Sequence, residues 1–163
     1  MKTLLVLRHA KSSWKHADLA DHDRPLNKRG KQTAPRLGIL LQDEDLVPDL
    51  MICSSAERTY RTALLVAKAC AYAGKIKKTR NLYLAEPMDY VEVLHQAADQ
   101  HERVLVVGHN PELETLIEDL TGEEIVMPTG ALAYLKLSLK NWQDLDLTTK
   151  CELVNVWRPR ELG

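Results

Sequence analysis

The run Leu4-Leu5-Val6-Leu7 most narrows what this chain can fold into. Four consecutive apolar residues present no polar face to water, and the run has no helical spacing. It reads as a short strand buried on both sides. Two later runs have the same character: Pro48-Asp49-Leu50-Met51-Ile52-Cys53 and Arg103-Val104-Leu105-Val106-Val107-Gly108. Strands of this kind belong to parallel sheets covered by helices.

Helical patterns alternate with these runs. Asn27 is the expected N-cap of a helix carrying Ala34, Leu37, Leu40 and Leu41 on one side, with Pro35 demanding a kink or a later start. Ser54 with Glu57 three residues on reads as a capping box, opening a helix that runs through Ala73 and stops at Gly74. Lys77–Tyr83 is a weaker strand, and Tyr90–Ala98 a helix, with His95 and His101 facing solvent. After the third buried run, Asn110 is the expected N-cap and Pro111 the first position of a helix ending at Gly122. Beyond Met127-Pro128-Thr129-Gly130, Leu135, Leu137 and Leu139 alternate with polar residues, and Leu153–Trp157 is a second β-rich segment able to pair with them as an antiparallel hairpin.

The expected fold is therefore α/β: a mainly parallel sheet with helices on both faces and antiparallel strands at the C-terminal end. Its 163 residues hold no repeat, linker or composition break, so a single domain over 1–163 is expected. A net charge of -1 without clustered Lys/Arg argues against a nucleic-acid partner. The first apolar run is too short for a signal peptide, and no stretch approaches a membrane span. Cys53, Cys70 and Cys151 are odd in number and set among apolar residues, which fits free thiols and a cytoplasmic location. Nothing in the pattern specifies an oligomeric state.

The chemistry lies where the strands end. The first delivers Arg8-His9, with Lys11, Ser12 and Ser13 just beyond; the second leads within one helical turn to Arg58; the third ends at His109. In open α/β sheets the ligand crevice lies outside the carboxyl ends of the strands. Arginine offers a fork of donors suited to phosphate, and neutral histidine is a nucleophile. A lone histidine or first-turn arginine at such a place is ordinarily structural. Two of each at one rim, beside helix N-termini and without a glycine-rich nucleotide loop, point to a site for a terminal phosphoryl group. A cysteine-phosphatase loop is excluded, because only four residues separate Cys53 from Arg58 and the required glycines are missing. The spacing of His16, Asp18, Asp21, His22 and Asp23 matches no common metal site, so neither metal nor cofactor is expected.

Five blocks in this order resemble the histidine phosphatase (phosphoglycerate-mutase-like) superfamily, and within it the small SixA-type phosphohistidine phosphatases. They are Leu7-Arg8-His9-Ala10-Lys11-Ser12; Asp23-Arg24-Pro25-Leu26-Asn27 with Gly30; Ser54-Ser55-Ala56-Glu57-Arg58-Thr59 with Thr62; Val107-Gly108-His109-Asn110-Pro111; and Met127-Pro128-Thr129-Gly130-Ala131. The resemblance implies that His9 is the nucleophile, forming a covalent phosphohistidine that water hydrolyses. It makes Arg8, Arg58 and His109 phosphate ligands, with Arg24, Lys11, Ser12 and Thr129 binding substrate around them. It also implies a metal-independent hydrolase with no lid insertion. The partner would be a phosphorylated protein, a histidine-containing phosphotransfer protein being one type.

One position departs from the larger members, which carry a glutamate general acid in a Leu-x-Glu setting. The corresponding Leu82-Tyr83-Leu84 has no carboxylate, and Glu86 is the nearest possible acid. A missing acid disfavours alkoxide leaving groups more than imidazole, which can be protonated before it departs. Two alternatives remain open at the level of sequence: a small-molecule phosphomonoesterase of the same fold, and a phosphate-binding module without catalysis.

Overall fold

The computed structural model describes residues 1–162. Its strands are β1 (Lys2–Arg8), β2 (Leu50–Ser54), β3 (Ile76–Thr79), β4 (Arg103–Gly108), β5 (Leu132–Leu137) and β6 (Cys151–Trp157). The helices are α1 (Lys28–Asp43), α2 (Glu57–Ala69), α3 (Pro87–His95) and α4 (Glu112–Thr121). One sheet takes the order β3-β2-β4-β1-β5-β6, parallel from β3 to β1 and antiparallel from β1 to β6.

The expected buried strands lie side by side in the centre. Leu4, Leu5, Val6 and Leu7 have no accessible surface, and neither do Val104, Leu105, Val106 and Val107. Alternation divides them between two cores. Leu4, Val6, Val104 and Val106 pack with Tyr90, Val91 and Leu94 of α3 and with Leu113, Leu116 and Ile117 of α4. Leu5, Leu7, Leu105 and Val107 pack with Ala34, Leu37 and Leu41 of α1 and with Ala63 and Val66 of α2. Helices therefore cover both faces, as expected. No helix among the described residues is long and apolar enough to cross a membrane.

Several local readings need correction. Helix α1 passes through Pro35 without ending, because its buried face (Ala34, Leu37, Leu41) outweighs one missing backbone bond. Helix α2 is capped by Ala56, not Ser54, and ends at Ala69; Ala71, at φ 57°, makes the left-handed turn expected of Gly74. Strand β3 stops at Thr79 and gives way to a short 3-10 turn, Arg80–Leu82. Helix α3 spans Pro87–His95 instead of Tyr90–Ala98, and His95 is not simply solvated: its Nε2 lies 2.7 Å from the Leu145 carbonyl. Helix α4 starts at Glu112, and Asn110 donates its side-chain amide to the Met127 carbonyl at 2.8 Å instead of capping the helix. Strand β5 ends at Leu137, short of Leu139.

Three contacts fix the loop that follows β1. Asn27 N–H donates to the Lys11 carbonyl at 3.0 Å, Asn27 Oδ1 accepts from Gly30 N at 2.8 Å, and an antiparallel bridge joins Ser12 to Leu26. Gly30 presses so closely on this loop that a Cβ there would lie 2.2 Å from the Lys11 carbonyl oxygen. Gly30→Ala gains at most ~1 kcal/mol in helix propensity. The clash is with backbone and should outweigh that, for a net destabilisation of about 1–3 kcal/mol. Denaturant unfolding checks this, and an unchanged or raised midpoint would contradict the close approach.

Candidate active site

The C-terminal ends of β1, β2 and β4 open into a cavity of about 300 Å³ that takes in the eight expected phosphate- and substrate-binding residues (Arg8, His9, Lys11, Ser12, Arg24, Arg58, His109 and Thr129) and leaves out Glu86. His9 leaves the end of β1 with its backbone held on both sides. Its N–H donates to the Gly108 carbonyl at 3.1 Å, and Gly130 N–H reaches the carbonyls of Arg8 (3.1 Å) and His9 (2.9 Å). Ala10 N–H donates to Thr62 Oγ1 at 3.0 Å. The histidine therefore sits on fixed backbone, not on a mobile loop tip.

The protonation of His9 follows from its partners. Nδ1 lies 2.7 Å from the Ala10 carbonyl, which can only accept, so this network assigns the ring proton to Nδ1 and leaves Nε2 with its lone pair. Burial lowers its pKa to about 3; the Ala10 bond opposes the shift, and His109, Arg58 and Arg8 add to it. His109 is held similarly. Its Nε2 lies 2.8 Å from Ser54 Oγ, and its backbone N–H donates to Tyr90 OH at 3.2 Å. Ser54 is fully buried and its hydroxyl has no acceptor among the described residues other than His109 Nε2, so the hydroxyl proton is assigned to that bond and the imidazole proton to Nδ1. Burial, then Arg58, brings the His109 pKa down to about 4. The two rings stand 5.4 Å apart between centroids.

Arginines line the same cavity. Arg8 donates Nη1 to the Met127 carbonyl at 3.0 Å. Arg24 and Arg58 converge on one carboxylate, Asp21, which the sequence pattern offers only as part of an unmatched metal spacing. Asp21 Oδ1 pairs with Arg24 Nη1 at 2.8 Å; Asp21 Oδ2 pairs with Arg58 Nη2 at 3.1 Å and accepts from Tyr83 OH at 2.7 Å. Arg58 Nη1 adds a bond to the Asp21 carbonyl at 2.8 Å. Partial burial works against the Asp21 charge, but hydrogen bonds from Tyr83, Arg24 and Arg58 outweigh it and hold the carboxyl at about 2. Arg24 also bonds the Ser13 carbonyl and Ser12 Oγ, and lies 3.4 Å over the Trp14 ring.

Glu86 is exposed, lies outside the cavity and caps α3, its backbone N–H donating to Asp89 Oδ2 at 2.7 Å. Glu112 lines the cavity instead, and burial raises its pKa. It is the first residue of α4, three positions after His109, a spacing that could have marked it. Asp21 had a signal too, three residues before Arg24. Nothing local marked Ser54, whose partner is 55 residues away. The rim adds two exposed apolar side chains, Trp14 (79% exposed) and Leu84 (82%).

Known proteins resemble this arrangement along the whole chain. The model of the histidine phosphatase superfamily (branch 1) matches residues 4–83. An uncharacterised protein of Mycobacterium leprae is 29% identical over 94% of this chain and 100% of its own. The crystal structure of a protein assigned as phosphohistidine phosphatase SixA from Agrobacterium tumefaciens is 27% identical, with a TM-score of 0.83 over 97% of this chain and 98% of that one. Its counterpart from Nakamurella multipartitia is 25% identical, with a TM-score of 0.85 over 97% and 96%. The likeness thus extends well beyond the segment carrying Arg8-His9 and Arg58, through the strands that bring His109 to the same cavity. The chain has the histidine phosphatase fold, of SixA type, and is a phosphatase.

Proposed function

We propose that this phosphatase removes the phosphoryl group from a phosphorylated histidine on a protein, through a covalent intermediate on His9. The observation that carries this reading is the His9 ring itself: Nδ1 is committed to the Ala10 carbonyl, leaving a neutral Nε2 in a cavity shared with three arginines. Nε2 attacks phosphorus in line with the leaving imidazole; the new P–N bond forms as the old one breaks, and the electron pair of the old bond stays on the leaving nitrogen, which takes up a proton. Water then attacks the phosphorus on His9, releasing phosphate and restoring the neutral ring. Arg8, Arg24 and Arg58 neutralise the charge on the non-bridging oxygens, and His109 donates to them through Nδ1–H. Lys11, Ser12 and Thr129 border the phosphoryl position. Asp21 is a positioning residue: it holds two arginine forks at one spacing without entering the cavity lining.

Glu112 is the carboxyl group able to assist the leaving atom, in place of Glu86. Its raised pKa, caused by burial, favours the protonated form that a general acid needs. The two SixA structures belong to proteins assigned as phosphohistidine phosphatases, which supports the substrate class. The open rim with Trp14 and Leu84 supports a phosphoryl group presented by a macromolecule, since such side chains exposed together suit a protein surface.

The reading is tested by acid-quenching the enzyme seconds after mixing with a phosphohistidine peptide and mapping acid-labile phosphate. Phosphate should appear on His9, and His9→Ala should abolish turnover with the fold retained. Turnover above a tenth of wild type in His9→Ala would remove His9 as nucleophile.

Imidazole ¹⁵N NMR should find His9 and His109 neutral down to pH 5, both carrying the proton on Nδ1. An ordinary titration near 6.5 for His9 would contradict its burial among arginines. The same shifts set the sign of the stability profile. Both folded pKa values lie below the unfolded value near 6.5, so below pH 6.5 the unfolded chain binds more protons and stability falls as pH drops toward 4.

Glu112→Gln should slow hydrolysis of phosphoserine peptides by ~10²-fold or more, as expected for losing a general acid. Phosphohistidine hydrolysis should slow much less, because its leaving imidazole can be protonated from solvent. Glu86→Gln should leave both rates unchanged. Equal effects of Glu112→Gln on the two substrates would show that its carboxyl does not protonate the leaving group.

A further inference from the structure

A second, larger hollow opens beside the catalytic cavity. Its volume is about 830 Å³, against about 300 Å³ for the cavity, and the two share Lys11 and Thr129. One wall is a single face of α1, formed by Arg29, Gln32, Thr33 and Arg36 at helical i, i+3, i+4, i+7 spacing. The opposite wall is built from the loop before β5 and the segment after β6, which contributes Arg158 and Arg160. That segment is firmly seated. Arg158 Nε donates to the Val126 carbonyl at 3.0 Å, and a Cβ on Gly130 (φ +78°) would lie 2.9 Å from Pro159 Cγ.

Five cations line this hollow (Lys11, Arg29, Arg36, Arg158 and Arg160), and no carboxylate does. The chain as a whole carries 22 basic and 23 acidic residues, so an all-cationic lining is a local excess. Among the described residues, none of the five side chains is ion-paired with an Asp or Glu; the Glu161 carboxylate accepts from the Arg158 backbone N–H at 2.9 Å, not from its guanidinium. Each therefore remains available to an outside anion. The phosphoryl group is already provided for next door by Arg8, Arg24 and Arg58, so the hollow would take whatever is attached to it.

We infer that the groove binds acidic side chains of the protein substrate, on one side of the phosphorylated residue. This rests on the reading of the enzyme as a protein phosphohistidine phosphatase. Three observations favour an acidic polypeptide. The volume suits several side chains, not a single anion. No aromatic ring lines it to stack a nucleotide base, whereas Val126, Pro128 and Pro159 offer aliphatic contact for side-chain stems. The groove is also continuous with the cavity through Lys11 and Thr129, as one chain threading both would require.

The test compares two phosphohistidine peptides that differ only in their flank, four Asp/Glu in one and Asn/Gln in the other. Each is assayed with the wild-type enzyme and with Arg29→Ala/Arg36→Ala. Both arginines are exposed on α1, so the double variant keeps the core and the cavity lining. Wild type should prefer the acidic flank roughly tenfold in kcat/KM, the combined effect of several screened surface pairs. The preference should lie mainly in KM and shrink as salt is raised. The double variant should lose most of it while keeping kcat on the neutral peptide. Equal kcat/KM for the two flanks in wild type overturns the inference and leaves the phosphohistidine reading standing. Turnover of neither peptide overturns that reading instead. The groove is then judged by fluorescence anisotropy of the unphosphorylated peptides, where equal affinity for both flanks overturns it and an acidic preference abolished in the double variant sustains it. Tripolyphosphate binding that depends on Arg29 and Arg36, with no preference between flanks, assigns the groove to a free polyanion and likewise overturns it.

Discussion

Three arginines and two histidines share one small cavity, and everything else about the site depends on how their mutual repulsion is relieved. The structure uses two devices. Burial keeps both imidazoles neutral, so that only the guanidinium groups carry charge. One carboxylate, Asp21, then bridges Arg24 and Arg58 and is itself steadied by Tyr83. The neutral ring is also the form that the proposed mechanism requires of His9, since an imidazolium has no lone pair to offer phosphorus. The electrostatic condition for folding the site and the chemical condition for using it are therefore the same.

The frame that holds these groups is the centre of the sheet. Strand β1 is flanked by β4 and β5, so the position of His9 is set by backbone bonds from both neighbours, through Gly108 and Gly130. Gly108 also admits the Tyr90 hydroxyl, which a Cβ there would meet at 2.1 Å, and that hydroxyl accepts the His109 N–H. Helices α1 and α2 on one face and α3 and α4 on the other bury the sheet without covering its carboxyl edge. The cavity is left open, with apolar side chains at its rim and the cationic groove beside it.

Much of this was legible in the chain. Uninterrupted apolar runs identify doubly buried strands because no other short element can hide every side chain. Strand ends that deliver Arg8-His9 and His109, and a first helical turn that delivers Arg58, follow from topology once the sheet is parallel. Eight residues singled out from sequence line one cavity for this reason. The local end signals were less informative. Ser54 and Asn110 have the chemistry of N-caps, but each gives its side chain to a distant partner, His109 for one and the Met127 carbonyl for the other. A turn-level pattern registers what a side chain could do for its neighbours and is blind to a stronger bond across the fold.

The sequence by itself determined which segments are strands, which face of each helix is buried, and which residues stand at the strand ends, because these depend on hydrophobic periodicity within a dozen residues. Only the tertiary structure decided the tautomers of His9 and His109, the pairing of Arg24 and Arg58 through Asp21, and the choice of Glu112 over Glu86 as the carboxyl group in the cavity. It also decided that the face of α1 bearing Arg29 and Arg36 meets Arg158 and Arg160 across a groove. Beside the local bonds of His9 to Ala10 and of Asp21 to Arg24, those features depend on burial and on contacts between distant segments, such as Asp21 with Arg58, 37 residues apart, and Ser54 with His109, 55 apart, which form only when the chain closes on itself.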